Sequence, residues 1–260
     1  MKGSAGVMAL VSAETVAGSS ALLWLSPLWG EVRRGYFKLV GAIHAVLAAA
    51  TWFAASAGAV AGDDAGGWAI RLAIAPFVAI ALASALMFAR RETAARAVGF
   101  ASVPIAAAVL VPLAQAGGQG TALGLFQLAA GAAFLGAVIQ GLLLGHWYLT
   151  DRKLTRRPIQ RCTSVLLVAT VLAAVAMISG GFEPTPDTNP SLNPLLTAGA
   201  LAPWIALGMA GSTLLIAVLV RLALRGERAS AVQSATGFFY LAVVTAITAE
   251  VAVRTRFLPG

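Results

Sequence analysis

One cysteine, Cys162, in 260 residues excludes an internal disulfide and a cysteine-ligated metal cluster. Only 11% of the residues are charged, against 59% hydrophobic, and mean hydropathy is +0.86. A water-soluble domain of this length would lack the charge to cover its surface. Histidine occurs only twice, at His44 and His146. Lysine is confined to Lys2, Lys38 and Lys153, so no late helix carries a lysine for a retinal Schiff base. There is no Walker loop, zinc-protease histidine pair or nucleophile elbow.

What the chain does have is long apolar runs along its whole length, which define a polytopic, all-α integral membrane bundle. No stretch of residues 1–260 is polar enough to form a second domain, so the chain reads as a single membrane domain. Glu14 interrupts what would be the core of a signal peptide, so the first run is read as a span. Eight spans are expected: Gly6–Trp29, Tyr36–Val60, Trp68–Ala89, Ala95–Gln115, Thr121–Leu149, Pro158–Ser179, Pro194–Arg221 and Ala229–Val253. Seven remain possible if one boundary is misplaced.

Charge sets the orientation. Fourteen of the 18 basic residues fall in the loops after spans one, three, five and seven. The positive-inside rule puts those loops in the cytoplasm and both termini on the outer side. The net charge of +8 is split among these short loops, which argues against nucleic acid as a partner. An alanine-rich composition that prefers arginine to lysine suggests a GC-rich bacterial genome, and hence a bacterial inner (cytoplasmic) membrane. Trp29, Tyr36, Trp147 and Tyr148 are expected in an aromatic belt at the cytoplasmic interface, and Trp68 at the outer one. The loop Gly180–Pro194 contains four prolines and is read as a rigid outer cap or a docking loop for a peripheral partner. No inverted repeat is evident.

His44 and His146 carry most of the functional argument, because an ionisable residue inside a bilayer is a functional candidate by default. Counted from Lys38 and Asp151, both lie roughly 7 to 9 Å below the cytoplasmic boundary. They are therefore candidates for the two axial ligands of a haem b. Gly41, Ala48 and Ala55 share the face of His44, while Ile139, Leu142 and Leu143 flank His146. Arg90, Arg91, Arg152 and Lys153 are the candidates to neutralise haem propionates. Met87 is an alternative ligand, although methionine usually just packs. Two interfacial histidines bonded to carbonyls or lipid headgroups would give the same pattern.

The run Gly145-His146-Trp147-Tyr148-Leu149 suggests a quinone headgroup site, with Asp151 passing protons. It equally describes an interfacial anchor at a helix end. Glu14, among serines and threonines, is a candidate proton-path carboxylate, ion ligand or partner for Arg71. Glu250 and Arg254 have the i,i+4 spacing of a local ion pair. Pro76, Pro104, Pro112 and Pro203 can kink spans.

Three functions follow. The first is a membrane subunit of a respiratory or photosynthetic-type electron-transfer complex, binding haem b, a quinone, or both beside other membrane redox subunits. The second is a cofactor-free structural subunit of a larger membrane assembly. The third is a small-molecule or ion transporter using Glu14.

Overall fold

A computed structural model describes residues 1–25, 30–117, 119–151, 153–182, 201–226 and 230–257. Among the described residues there are eight long helices and no strands. They are α1 (Gly3–Trp24), α2 (Arg34–Ala57), α3 (Asp64–Phe88), α4 (Glu92–Ala116), α5 (Thr121–Thr150), α6 (Arg157–Ser179), α7 (Leu201–Ala223) and α8 (Ala231–Arg254). The shortest has 22 residues, about 33 Å at 1.5 Å per residue, enough to cross the hydrocarbon core of a bilayer. The chain is therefore a multi-pass helical membrane protein. Trp29, Arg152 and nearly all of the proline-rich loop, from Glu183 onward, lie outside the described residues.

Local chemistry sets several helix ends. Asp63 caps α3, its carboxylate accepting the Gly66 amide at 2.9 Å. It also pairs with the amino-terminal ammonium of Met1. Burial pushes this carboxyl up, but the ammonium and the Gly66 amide outweigh that and hold it below its ordinary 3.8. Between α3 and α4 the chain turns through Arg90, which takes the left-handed conformation at φ 62°. The Arg91 amide donates to the Leu86 carbonyl at 2.9 Å and the Arg90 amide to Met87 at 3.4 Å. This is a Schellman closure with arginine where glycine is usual. Pro158 lies in the first turn of α6, where its missing N–H costs nothing.

The helices form two four-helix halves, α1–α4 and α5–α8, with matching neighbours. In the first half α1 packs on α2, α2 on α3, α3 on α4, and α4 back on α1; α5 to α8 repeat that circuit. Across the halves α1 packs on α5, while α4 meets α5 and α8 meets α1 in corresponding fashion. Each half has an even number of crossings, so the two run in the same direction. That is a parallel repeat, not the inverted one sought in the sequence.

At the centre, α1 and α5 are buried on nearly all sides, whereas α2, α3, α6, α7 and α8 bury one stripe each. Large apolar residues such as Val46, Phe53, Val78, Val168, Leu215 and Val244 face outward, as lipid-facing positions should. Glycine permits the central crossing. A methyl group added to Gly18 would lie 1.7 Å from the Ala132 carbonyl oxygen, and one added to Gly136 would lie 2.4 Å from the Gly18 carbonyl carbon. Polar side chains on α1 bond their own backbone: Thr15 donates to Val11 at 2.7 Å and Ser19 to Thr15 at 2.5 Å. These hydroxyls are thereby satisfied inside the bundle, whereas that of Ser20, also buried on α1, has no hydrogen-bond partner.

The loops after α1, α3, α5 and α7 meet at one end, the basic face, and cross-link there. Arg34 pairs with Glu92 at 3.5 Å, Arg33 with Asp151 at 3.2 Å, and Arg161 with Glu31. Arg156 donates to the Gly226 carbonyl.

Gly18→Ala is expected to cost roughly 3 kcal/mol by overpacking the crossing. Gly208→Ala, with open space around it, should be neutral or stabilising by up to about 1 kcal/mol. Thermal unfolding in mild detergent compares the two. Asp63→Ala should cost about 1 kcal/mol at pH 7 through loss of the cap. A carboxyl held below its ordinary value stabilises above that value and ceases to do so as it protonates. The deficit should therefore shrink as the pH falls below 3.8, which unfolding curves taken across that range would show.

Candidate functional site

The two histidines are built into different parts of the bundle. His44 is fully buried on the inward stripe of α2, with Gly41, Ala48, Thr51 and Ala55. Gly41 closes that stripe against Ser84 of α3. Neither His44 ring nitrogen has a hydrogen-bond partner. His146 is half-buried on α5, its Nε2 2.7 Å from the Tyr240 hydroxyl on α8 and its Nδ1 3.4 Å from the Leu142 carbonyl. The imidazole and phenol rings meet edge to face at 5.3 Å.

Depth also separates them. Gly58 of α2 faces Gly6 of α1, and Phe37 of α2 lies against Trp24 of α1. His44 is thus level with the middle of α1, near Gly18. Gly18 sits on Ala132 and Gly136 of α5. His146 lies ten residues beyond Gly136, roughly 15 Å closer to the basic face at 1.5 Å per residue. Helix α1 packs against both α2 and α5, which themselves touch only slightly. The equal depth counted from Lys38 and Asp151 does not hold, and the pair as placed does not fit one shared macrocycle.

The other expected haem contacts are dispersed as well. Arg90 and Arg91 are exposed and form the α3–α4 turn. Arg152 lies outside the described residues. Met87 is buried on α3. Among the described residues, no three His, Cys, Asp or Glu side chains are placed to hold a metal ion.

The run His146-Trp147-Tyr148 is divided by the helix itself, which turns successive residues by about 100°. His146 goes to α8. Trp147 covers Gly35 and meets Tyr36 of α2 edge to face, ring centres 5.9 Å apart. Tyr148 donates to the Thr155 carbonyl. These residues anchor α5 to three neighbours and do not assemble one ring-binding pocket. Tyr36 leaves the expected belt too: it is fully buried, and its hydroxyl accepts from Gln140 Nε2 at 2.5 Å. Trp68 does remain exposed, with Arg71 stacked 5.4 Å from its ring.

The interior charges, in contrast, converge. Glu14 is eleven residues into α1, about 16 Å from its start and so near mid-membrane. Its partner is not Arg71 but Arg254, at the end of α8. Arg254 Nη2 donates to Glu14 Oε1 and, at 2.9 Å, to the Gln127 carbonyl of α5. It also lies 3.0 Å from Glu250 Oε2, off the hydrogen-bonding direction. All three side chains are at most 2% exposed. Gly131 of α5 makes the room, since a Cβ there would lie 2.3 Å from Glu14 Oε1.

The cluster holds one cation against two carboxyls. Glu14 Oε2 and the Nε and Nη1 of Arg254 have no hydrogen-bond partner. A narrow void bounded by Gly131, Ala173, Met177 and Glu250 borders it and does not admit a water molecule. Phe257 lies 5.3 Å from the guanidinium and packs on Gly117 and Gly124, closing the side away from the basic face. Sequence reading had both halves of this cluster, but their meeting joins residues 240 positions apart.

Comparison with protein-family models, curated proteins and solved structures finds no match for this chain.

The His146–Tyr240 contact predicts a measurable coupling between α5 and α8. His146→Phe and Tyr240→Phe should each cost about 1 kcal/mol, and the double variant little more than either alone, as expected for a shared hydrogen bond. A double-mutant cycle of unfolding free energies checks this.

Proposed function

We propose that this chain is a proton-coupled membrane carrier and that Glu14 is its proton-binding group. The observation that carries this reading is the position of the ion cluster. Glu14 belongs to one four-helix half, and Glu250, Arg254 and the carbonyl of Gln127 belong to the other. In carriers built from repeats, coupling-ion sites lie near mid-membrane at the repeat interface.

Charge balance supplies the chemistry. Two carboxylates and one guanidinium leave one negative charge in a medium where an uncompensated charge is expensive. A single proton on a carboxyl restores neutrality. Neither Glu14 Oε2 nor Glu250 Oε2 has a hydrogen-bond partner, but Glu250 Oε2 makes the 3.0 Å ion contact to Arg254, whereas the contact of Glu14 is made through its other oxygen. Arginine stays protonated throughout and holds Glu14 and Glu250 close together. Loss of the proton would leave the two carboxylates competing for one Nη2, favouring a separation of the halves that opens the cluster. Binding of a solute in the opened state would then be linked to the proton through the same equilibrium.

A second reading keeps the chain as a membrane subunit of an electron-transfer complex. It rests on the His146–Tyr240 pair, which lies toward the basic face with Tyr240 half exposed to the surroundings. A quinone entering from the bilayer would exchange its carbonyl oxygen into that hydrogen bond.

The test is proton uptake into liposomes containing only this chain, driven by a potassium diffusion potential and followed with a trapped pH dye. The carrier reading expects uptake that scales with protein and falls at least tenfold in Glu14→Gln, a substitution that preserves volume. Uptake no greater than in empty liposomes, or unchanged in Glu14→Gln, would overturn it.

A further inference from the structure

On the basic face, the first turns of α6 carry a feature that the ion cluster does not explain. Arg157, Gln160, Arg161, Ser164 and Val165 are exposed along one side of the helix. Their spacing of i, i+3, i+4, i+7 and i+8 makes this a continuous stripe. Farther along α6 the exposed residues are apolar as far as the last turn, with Val168, Val171, Val175 and Ile178, before Ser179 ends the helix. The stripe thus passes from guanidinium and amide groups to hydroxyl and then to hydrocarbon within a few turns.

Cavities flank its polar end on both sides. Between α1 and α6 a groove of about 680 Å³ is walled by Ala21, Leu22, Leu25, Pro158 and Val165, with Arg157 and Arg161 lining it as well. Its volume lies within the roughly 300–1,000 Å³ usual for small-molecule sites. On the α7 side a smaller cavity of about 280 Å³ is lined by Gln160, Thr163, Ser164, Arg221 and Arg225. Arg221 reaches across it to the Ser164 hydroxyl at 3.5 Å. Four arginines therefore surround two turns of helix. Among the described residues, the one carboxylate bonded to them is Glu31, paired with Arg161.

We propose that this site holds an acidic phospholipid. Its phosphodiester would be bound by Arg157, Arg161 and the Gln160 amide, within reach of Arg221 and Arg225, and an acyl chain would lie in the groove between α1 and α6. Charge complementarity selects the occupant. Guanidinium groups bind phosphate oxygens through paired N–H donors. Basic pockets between helices at a membrane surface are where anionic headgroups dock. A zwitterionic lipid offers the same chains, but its own ammonium offsets the phosphate and weakens its attraction to the arginines. A quinone fits the groove but leaves the arginines without an anion. This site is independent of the Glu14 cluster and of the carrier reading.

The test is native mass spectrometry of the full chain purified in mild detergent, with phosphatidylglycerol or phosphatidylcholine of identical chains added in turn. The expected result is one tightly retained phosphatidylglycerol, with phosphatidylcholine retained at least tenfold less well. Arg157→Gln with Arg161→Gln should lower phosphatidylglycerol retention at least tenfold. Val165→Trp, which fills the groove and leaves all four arginines, should lower it to a similar degree and guards against misfolding of the double variant. Arg71→Gln, remote on α3, should retain lipid as the parent does. Equal retention of the two lipids, recovery of a quinone in place of lipid, or undiminished retention in Val165→Trp and the double variant would each overturn the proposal.

Discussion

The close approach of α1 to α5 is the constraint on which the rest of the structure depends. Lipid is as apolar as a leucine side chain, so helices gain little by merely burying hydrocarbon in a bilayer. They associate through dense contact between backbones. Gly18 and Gly136 supply that contact from opposite sides, and neither tolerates a Cβ. With the crossing fixed there, Glu14 lies opposite Gly131, a residue that leaves space for a carboxylate and a guanidinium together. A wider spacing of α1 and α5 would leave Glu14 short of Arg254. The two halves would then meet without their ionic contact.

The repeat gives that contact its meaning. Each half forms a ring of four helices, and α1 and α5 play corresponding parts within the rings. The charges do not follow the symmetry. The acid on α1 has no counterpart on α5, where Ala130, Gly131 and Ala132 occupy the facing stretch. The cluster is therefore an asymmetric feature placed at a nearly symmetric interface. Toward the basic face the halves are joined by pairs among Glu31, Arg33, Asp151 and Arg161. These are partly exposed and hence individually weak. The most fully buried of these ionic links between the halves lies inside the membrane, and the partly exposed ones lie at its surface.

Much of the fold was legible in the sequence because the bilayer imposes length and polarity on every span. Eight apolar segments were expected and eight helices are present among the described residues. Differences come at the ends, where local chemistry decides. The Asp63 cap starts α3 four residues before Trp68, and α1 stops at Trp24. That earlier stop places Glu14 at mid-helix, whereas the longer span Gly6–Trp29 put it in the outer half. The Glu250–Arg254 pair was legible because i,i+4 spacing is local. The partner of Glu14 was not, since composition and period say nothing about which distant helix lies alongside. Depth counted from Lys38 misplaced His44, because α2 begins four residues earlier, at Arg34, and a long basic side chain marks a boundary only loosely. The adjacent His146, Trp147 and Tyr148 looked like one cluster on paper, and helical geometry gives them three separate destinations.

The pairing of Glu14 with Arg254 also bears on how the bundle comes together in the membrane. A membrane protein is threaded into lipid from its first helix onward, and these two residues are 240 positions apart. During most of synthesis the carboxyl on α1 has no guanidinium to meet, and the glycine recess on α5 arrives well before the arginine does. Helix α1 must pass this interval either protonated or held near water. Only the arrival of α8 completes the centre, so that helix acts as a latch and a chain cut short before it is left with an unmatched acid at its core.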